Sequence, residues 1–432
     1  MFPKLLRGNY FCISLSIKHL YTFRFILLWL YRILLSLKER HMKKFFFIFI
    51  LALIPFASTT VSAESDLPLN SEAGIIIDAK SGNVLYEKNM KKSMYPASLT
   101  KIATAIYAIE HGDPNELVTV SKKAAEADGS SVFIEPGEEI ELSKLIAGML
   151  INSGNDAAIA IAEHMSGSEK LFMEDLNEFL RKEVNISDTH FTNPHGLFDK
   201  DHVTTASDLA KITQYAMKNE TFREYFGKKI LPWEVETWDT TLVTHHKMLK
   251  GELPYKGITG GKTGFVSKSG YTLISTATRG EQDLIAVTLK APSDKVAYSD
   301  TKLLFNYGFE NFKSGKIDKK SKLYSADYSN TYTLNEDLYY THSISDQPSL
   351  KTSNDGILSI MNQEGEAIES FDLKTVADVR NRNTVLPASI KKETIDDELL
   401  NFMSHLKDGE ASSFLLKKSP HGIRSVAALY IP

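Results

Sequence analysis

Apolar residues recur with two periods along this chain. Between Glu72 and Asn89 an apolar run, a Lys-Ser-Gly-Asn turn and a second alternating run predict a β-hairpin. Helical spacing follows from Ser98 to Glu110 and stops at Gly112. It returns in "ELSKLIAGMLINSGNDAAIAIAEHMSG", in "LFMEDLNEFLRKEV" and in "TTASDLAKITQYAMKN", where Thr205 and Asp208 resemble a capping box. After Gly260 the period shortens to that of strands in "GGKTGFV", "GYTLISTATRG" and "QDLIAVTLKA", and a helix over "DKVAYSDTKLLFNYGFENF" closes the unit. Two early strands, a helical middle and three late strands predict one α/β domain whose antiparallel sheet the chain crosses twice. From Lys313 to about residue 392 short strands and polar turns predict a small β domain.

The chain of 432 residues is long enough for two domains with substantial cores. Its 43% hydrophobic and 24% charged content is that of a globular protein. A formal net charge of −4, with no basic stripe bearing interleaved aromatics, gives no support to a nucleic-acid partner. No Cys/His spacing predicts a metal site, and no cofactor is expected.

The amino-terminal region changes the picture. From Met42, Lys43 and Lys44 form a positive region, Phe45 to Phe56 an apolar one, and Val61-Ser62-Ala63 a small-residue cleavage site. This is the pattern of a secretory signal peptide over residues 42–63, and the apolar run is shorter than the roughly 20 residues of a membrane span. Residues 1–41 hold another apolar run, "FRFILLWLYRILLSL". It reads either as an anchor or as sequence upstream of a true start at Met42, and the complete signal peptide beginning at Met42 favours the second. The single cysteine, Cys12, lies before the cleavage site, so the exported chain is expected to carry no thiol and no disulfide.

Three short motifs carry candidate chemistry. In "YPASLTKIAT", Ser98 and Lys101 are one helical turn apart and face the same way. A serine needs a nearby base to act as a nucleophile. A lysine is such a base when burial or a second cation lowers its pKa. The spacing alone is weak evidence, because it recurs at Ser389/Lys392 and Ser404/Lys407. In "MLINSGNDAA", Ser153 and Asn155 sit at a junction of two apolar segments, although Ser81-Gly82-Asn83 has the same form in a hairpin turn. In "GITGGKTGFV", Lys262, Thr263, Gly264 and Phe265 lie on a strand, where a lysine and a hydroxyl suit a peptide carboxylate and an extended substrate could add to the edge. The phosphate-loop pattern is not met there.

In order, the three motifs form the set of β-lactamases and penicillin-binding proteins, with a Ser-x-Asn roughly 50–60 residues after Ser-x-x-Lys and a Lys-Thr-Gly about 110 beyond it. With "GIIIDAKSGNVLYEKN", "FTNPHGL" and "HVTTASDLA", the chain resembles serine-type D-alanyl-D-alanine carboxypeptidases, low-molecular-mass penicillin-binding proteins. The resemblance implies a β-lactamase/transpeptidase-like α/β domain, an antiparallel sheet flanked by helices with a helical subdomain, over residues 64–312. It implies a small β-rich domain over 313–392 and a C-terminal helix and tail over 393–432.

The resemblance also implies roles. Ser98 attacks the carbonyl between the two terminal D-alanines of a peptidoglycan stem peptide and Lys101 takes its proton. Ser153 relays a proton to the departing D-alanine and Asn155 positions substrate. Lys262 keeps Lys101 neutral and, with Thr263, holds the substrate carboxylate. The backbone N–H groups of Ser98 and Phe265 form the oxyanion hole. β-Lactams mimic D-Ala-D-Ala and acylate Ser98.

A class A β-lactamase would add a Glu-x-x-Leu-Asn loop, which the chain lacks. A D,D-endopeptidase cutting crosslinks would use the same residues, and a silent peptide-binding protein would lack one of them. The expected setting is extracytoplasmic, at the wall or the outer face of the cytoplasmic membrane. Relatives often end in a membrane-associating amphipathic helix, and Ile395, Leu399, Phe402, Met403 and Leu406 have helical spacing. Asp396, Asp397 and Glu398 make its start acidic, which suits an anionic membrane poorly. His195 and His202 are expected to serve structure, and Asp208 to be a helix cap or surface acid.

Overall fold

The isoleucine run of strand β1 (Ala73–Asp78) is buried at every position, as a central strand covered on both faces requires. The computed structural model describes residues 67–373 and, as backbone, the antiparallel strands Phe414–Ser419 and Gly422–Ala428. Residues 1–41, the signal-peptide pattern at 42–63 and the amphipathic spacing at 395–406 lie outside the described residues. Two compact units divide the chain, Met1–Asn70 and Ser71–Pro432. Of the first, only the irregular residues 67–70 are described.

In the second unit β1 turns through Asp78–Asn83 into β2 (Val84–Lys88). A 3₁₀ turn (Ala97–Thr100) then runs into helix α1 (Lys101–His111). Strand β3 (Leu117–Thr119), helix α2 (Lys122–Ala125) and strand β4 (Glu139–Glu141) precede helices α3 (Leu142–Ile151), α4 (Asn155–Ser166) and α5 (Glu169–Lys182). Helices α6 (Ala206–Ala216) and α7 (Glu220–Gly227) lead into a hairpin of β5 (Ile230–Glu234) and β6 (Asp239–Val243). A short helix α8 (Lys247–Lys250) precedes β7 (Ile258–Val266), β8 (Gly270–Arg279) and β9 (Gln282–Ala291), and helix α9 (Asp294–Asn311) ends this part.

The five-stranded antiparallel sheet has the order β2-β1-β9-β8-β7, so the last three strands close against the first two. Helix α6 packs against β1 and β9, and α9 against β8, β9 and β1. Seven of the eleven residues of α1 and eight of the ten of α3 are buried, because α1 lies between the sheet-packed α6 and the helices α3, α4 and α5. Burying side chains such as Leu99, Ile102 and Ile106 stabilises this centre by roughly 1.5–3 kcal/mol each. Ser168 and Thr205 accept from Leu171 N and Asp208 N and so start α5 and α6, the second as the sequence predicts.

From Phe312 to Asp372 the chain forms short antiparallel pairs around a separate core of Ile317, Leu323, Tyr332, Leu358 and Ile360. The turn of the first hairpin reaches it. Ser81 Oγ lies 2.8 Å from Thr341 Oγ1, and Asn83 Nδ2 donates to Glu369.

Candidate active site

Ser98 does not open an α-helix. It sits in the 3₁₀ turn, and the α-helix begins at Lys101. The difference matters, because three residues per turn places positions i and i+3 directly above one another. Ala97, just before the serine, has φ +50, in the left-handed region. The turn is held from several sides: Thr272 Oγ1 donates to Pro96 O at 3.0 Å, and Thr100 Oγ1 donates to Ala97 O at 2.9 Å. Two glycines let backbone approach it. A Cβ on Gly196 (φ +90) would stand 1.9 Å from Ala97 O, and one on Gly264 would stand 2.9 Å from Ser98 N.

Lys101 is fully buried. Its Nζ donates to Asn155 Oδ1 at 2.6 Å, to His195 O at 2.7 Å and to Ser98 Oγ at 3.2 Å. Burial holds its pKa well below the usual lysine range, the Lys262 ammonium lowers it further, and Asp156 opposes both. An amine with so low a pKa can take a proton from a hydroxyl beside it.

The chain bends between α3 and α4, as the polar Ser-Gly-Asn junction predicts. Ser153 has φ +66, and both it and Asn155 are buried. Ser153 Oγ accepts from Lys262 Nζ at 2.8 Å, which joins the second motif to the third. Lys262 is itself buried, its pKa is lowered to about 7 by desolvation, and it also donates to Thr263 O. Strand β7 pairs with β8 through Lys262↔Ile274, Thr263↔Leu273 and Phe265↔Tyr271, and it is an edge of the sheet. Phe265 is exposed and its ring lies 4.6 Å from that of Tyr271. All eight residues singled out in the sequence thus lie in or beside one cluster.

His195 and His202 use their ring nitrogens locally. His195 Nδ1 accepts from Leu197 N, and His202 Nδ1 accepts from Thr192 N while Nε2 lies 2.8 Å from Thr100 Oγ1. Burial pushes both down to about 3, so both rings are neutral. Asp208 is not a surface acid. Its carboxylate is buried and accepts from Asp188 N and Thr189 Oγ1, tying that loop to α6, and burial raises its pKa.

Sequence reasoning missed Asp156, which is fully buried beside Asn155. Its oxygens accept from Val132 N, Ile134 N, Ala157 N and Ser131 Oγ. The loop so gathered supplies Ser130 O and Asp128 O to Asn155. An acid directly after Ser-x-Asn, at the first turn of a helix, was the available signal. The β5–β6 hairpin was also missed. It braces the same loop, because Glu138 accepts from Thr237 N and Oγ1, and the Trp238 ring lies edge-on to Phe133 at 5.6 Å.

A family model described as D-alanyl-D-alanine carboxypeptidase matches residues 58–293. The chain is 31% identical to the D-alanyl-D-alanine carboxypeptidase DacF of Bacillus subtilis over 62% of its own length and 69% of that relative. Penicillin binding protein 5 from Haemophilus influenzae superposes with a TM-score of 0.63 at 24% identity, over 72% of this chain and 98% of that one. A D-alanyl-D-alanine carboxypeptidase from Mycobacterium tuberculosis superposes with a TM-score of 0.54 at 27% identity, over 58% and 95%.

Proposed function

The chain belongs to the D-alanyl-D-alanine carboxypeptidase family, and from that premise we propose how its residues remove the terminal D-alanine of a peptidoglycan stem peptide. The observation that carries the reading is the fully buried Lys101 amine, 3.2 Å from Ser98 Oγ. Neutral Lys101 takes the Oγ proton as Ser98 attacks the carbonyl carbon between the two D-alanines. Backbone N–H groups of Ser98 and Phe265 stabilise the oxyanion. The C–N bond then breaks, and Ser153 Oγ, itself hydrogen-bonded to Lys262, gives its proton to the departing amine and takes the one held by Lys101, which is neutral again. Asn155 orients Lys101 and the substrate amide, and Lys262 and Thr263 hold the terminal carboxylate. Neutral Lys101 then takes a proton from water as that water attacks the Ser98 ester, and returns the proton to Ser98 Oγ as the shortened peptide leaves. β-Lactams acylate the same Oγ.

We assign this chemistry to residues 64–312 and the separate β core to a domain of residues 313–392. The enzyme acts outside the cytoplasm, on the wall or at the outer membrane face. The signal-peptide pattern at 42–63 supports export, and residues 393–432 are the segment that would associate with a membrane.

The test uses a stem pentapeptide ending in D-Ala-D-Ala, the purified protein from Glu64 onward and its Ser98→Ala variant, with products read by mass spectrometry. Loss of one D-alanine with the native serine only is expected. Equal loss from both proteins would refute the assignment of Ser98.

A further inference from the structure

Beyond the catalytic cluster, at the far end of β7, a cavity of about 160 Å³ opens beneath the β7–β8 turn. Lys92, Lys268 and Lys290 line it together with Ser93, Tyr95 and a single acid, Glu72. Three lysines to one carboxylate leave a net charge of +2 at this cavity. Glu72 accepts from Lys92 Nζ at 2.6 Å and from Lys290 Nζ at 2.7 Å, and so fixes two ammonium groups beside the opening. Lys268 makes no ion pair among the described residues.

The aim of Lys290 is set by the backbone. Between the pairs Tyr271↔Ala291 and Leu273↔Thr288 two residues of β9 face one of β8, a β-bulge. Lys290 lies in that bulge with φ +54, a conformation unfavourable for a side chain bearing Cβ. Bulges re-aim side chains next to active sites, and strain of this kind persists where a function uses it.

We propose that this cavity is a carboxylate subsite, which takes a free carboxylate of the stem peptide upstream of the scissile bond. The inference rests on the reading of β7 given above. A substrate running antiparallel along that edge has its terminal carboxylate at Lys262 and Thr263 and its scissile carbonyl at Phe265. The residues that precede the scissile bond then pass Val266 and reach the turn that carries Lys268. At about 3.4 Å per residue, the two positions from Phe265 to the start of the turn at 267 span roughly 7 Å, or about two substrate residues. A stem peptide carries a free acid at that distance, on its second residue. Tyr95 connects the two sites, for it lines the cavity, packs its ring 5.1 Å from Phe198 and lies three residues before Ser98.

Two stem pentapeptides ending in D-Ala-D-Ala test the proposal, identical except that the second-residue carboxylate is free in one and amidated in the other. D-Alanine release is followed with the full exported chain and its Lys268→Ala and Lys290→Ala variants, at low and at high salt. The expected preference for the free acid is about three- to tenfold in kcat/KM, expressed in KM, and close to unity in each variant and at high salt. Equal kcat/KM for the two peptides with the native chain overturns the subsite and leaves the Ser98 reading standing. No release from either peptide overturns both. A preference that the variants retain, together with inhibition by poly(glycerol phosphate) that they relieve, assigns the cavity to a phosphate polymer and overturns the carboxylate.

Discussion

Replacing Asp156 separates the architecture of the site from its chemistry. In Asp156→Ala three buried backbone N–H groups, of Val132, Ile134 and Ala157, and the Ser131 hydroxyl lose their acceptor. A buried donor left unpaired costs ~1–3 kcal/mol. Ile134 N is already long at 3.4 Å, and the loop can relax toward water. The expected net loss is therefore ~3–5 kcal/mol, and ~2 kcal/mol for Asp156→Asn, which keeps one acceptor oxygen. At ~2–4 °C per kcal/mol the alanine variant should melt ~6–20 °C lower.

The kinetic effect has a different origin. The freed 128–134 loop no longer holds Asn155 through Ser130 O and Asp128 O, and Asn155 Oδ1 aligns the Lys101 amine. A misplacement of ~1 Å costs up to ~100-fold, so acylation by a fluorescent penicillin should slow ~10–100-fold, below the melting point of each protein. Removing the carboxylate also removes the one neighbour that raises the Lys101 pKa. The protonated amine becomes less favourable, and the acidic limb of the acylation profile should move to lower pH. Unchanged melting and acylation in Asp156→Asn would refute the reasoning. A limb that moves to higher pH would refute its electrostatic part.

Gly196→Ala places a Cβ against Ala97 O at a residue with φ +90, so acylation should fall at least ~100-fold while the protein loses ~2–4 kcal/mol; a near-native acylation rate would show that the turn can yield. Lys262→Met removes a buried ammonium whose pKa is about 7 in the fold against an ordinary 10.5, so the folded state carries a penalty for protonation that grows as pH falls from 10.5 toward 7. The variant should lose carboxypeptidase turnover yet melt higher at pH 7, by the equivalent of ~1–3 kcal/mol, and a lower melting point would mean that its bonds to Ser153 Oγ and Thr263 O outweigh desolvation. His195, His202 and His246 are held near 3 by burial, so the unfolded chain binds more protons between about pH 3 and 6.5, and stability falls as pH drops through that window. Each contributes on the order of 1 kcal/mol per pH unit, and a melting temperature unchanged from pH 7 to 5 would contradict it.

Much of this fold is legible from periodicity because its elements bury one consistent face or both. The β1 isoleucines, the α1 and α3 stripes and the three late strands each read correctly for that reason. The β5–β6 hairpin escaped because its alternation is weak: only Trp233 and Leu242 are buried in its two strands, and its turn residues serve a neighbouring loop. The 3₁₀ turn at Ser98 escaped because helical spacing cannot distinguish i+3 on one kind of helix from i+3 on another. What sets the turn is the left-handed Ala97 and two glycines more than ninety residues away in sequence.

The site divides along the same line. Side chains that act by type, a serine, two lysines and a second serine, are legible as motifs, since the chemistry needs those groups at those separations. The groups that tune them are not. The pKa of Lys101 is lowered because the amine is buried and because Lys262 lies near it, while the carbonyl of His195 and the amide oxygen of Asn155 accept its hydrogen bonds. Asp156 works against that depression while building the loop that positions Asn155. The same carboxylate therefore supports the geometry and raises the pKa, which lowers the share of neutral amine, and its two effects on catalysis have opposite signs. A sequence motif carries the groups but not this balance. Asp156→Asn and Asp156→Ala, compared across pH, separate the two contributions: loss of alignment lowers the plateau of the acylation profile, and loss of charge shifts its acidic limb.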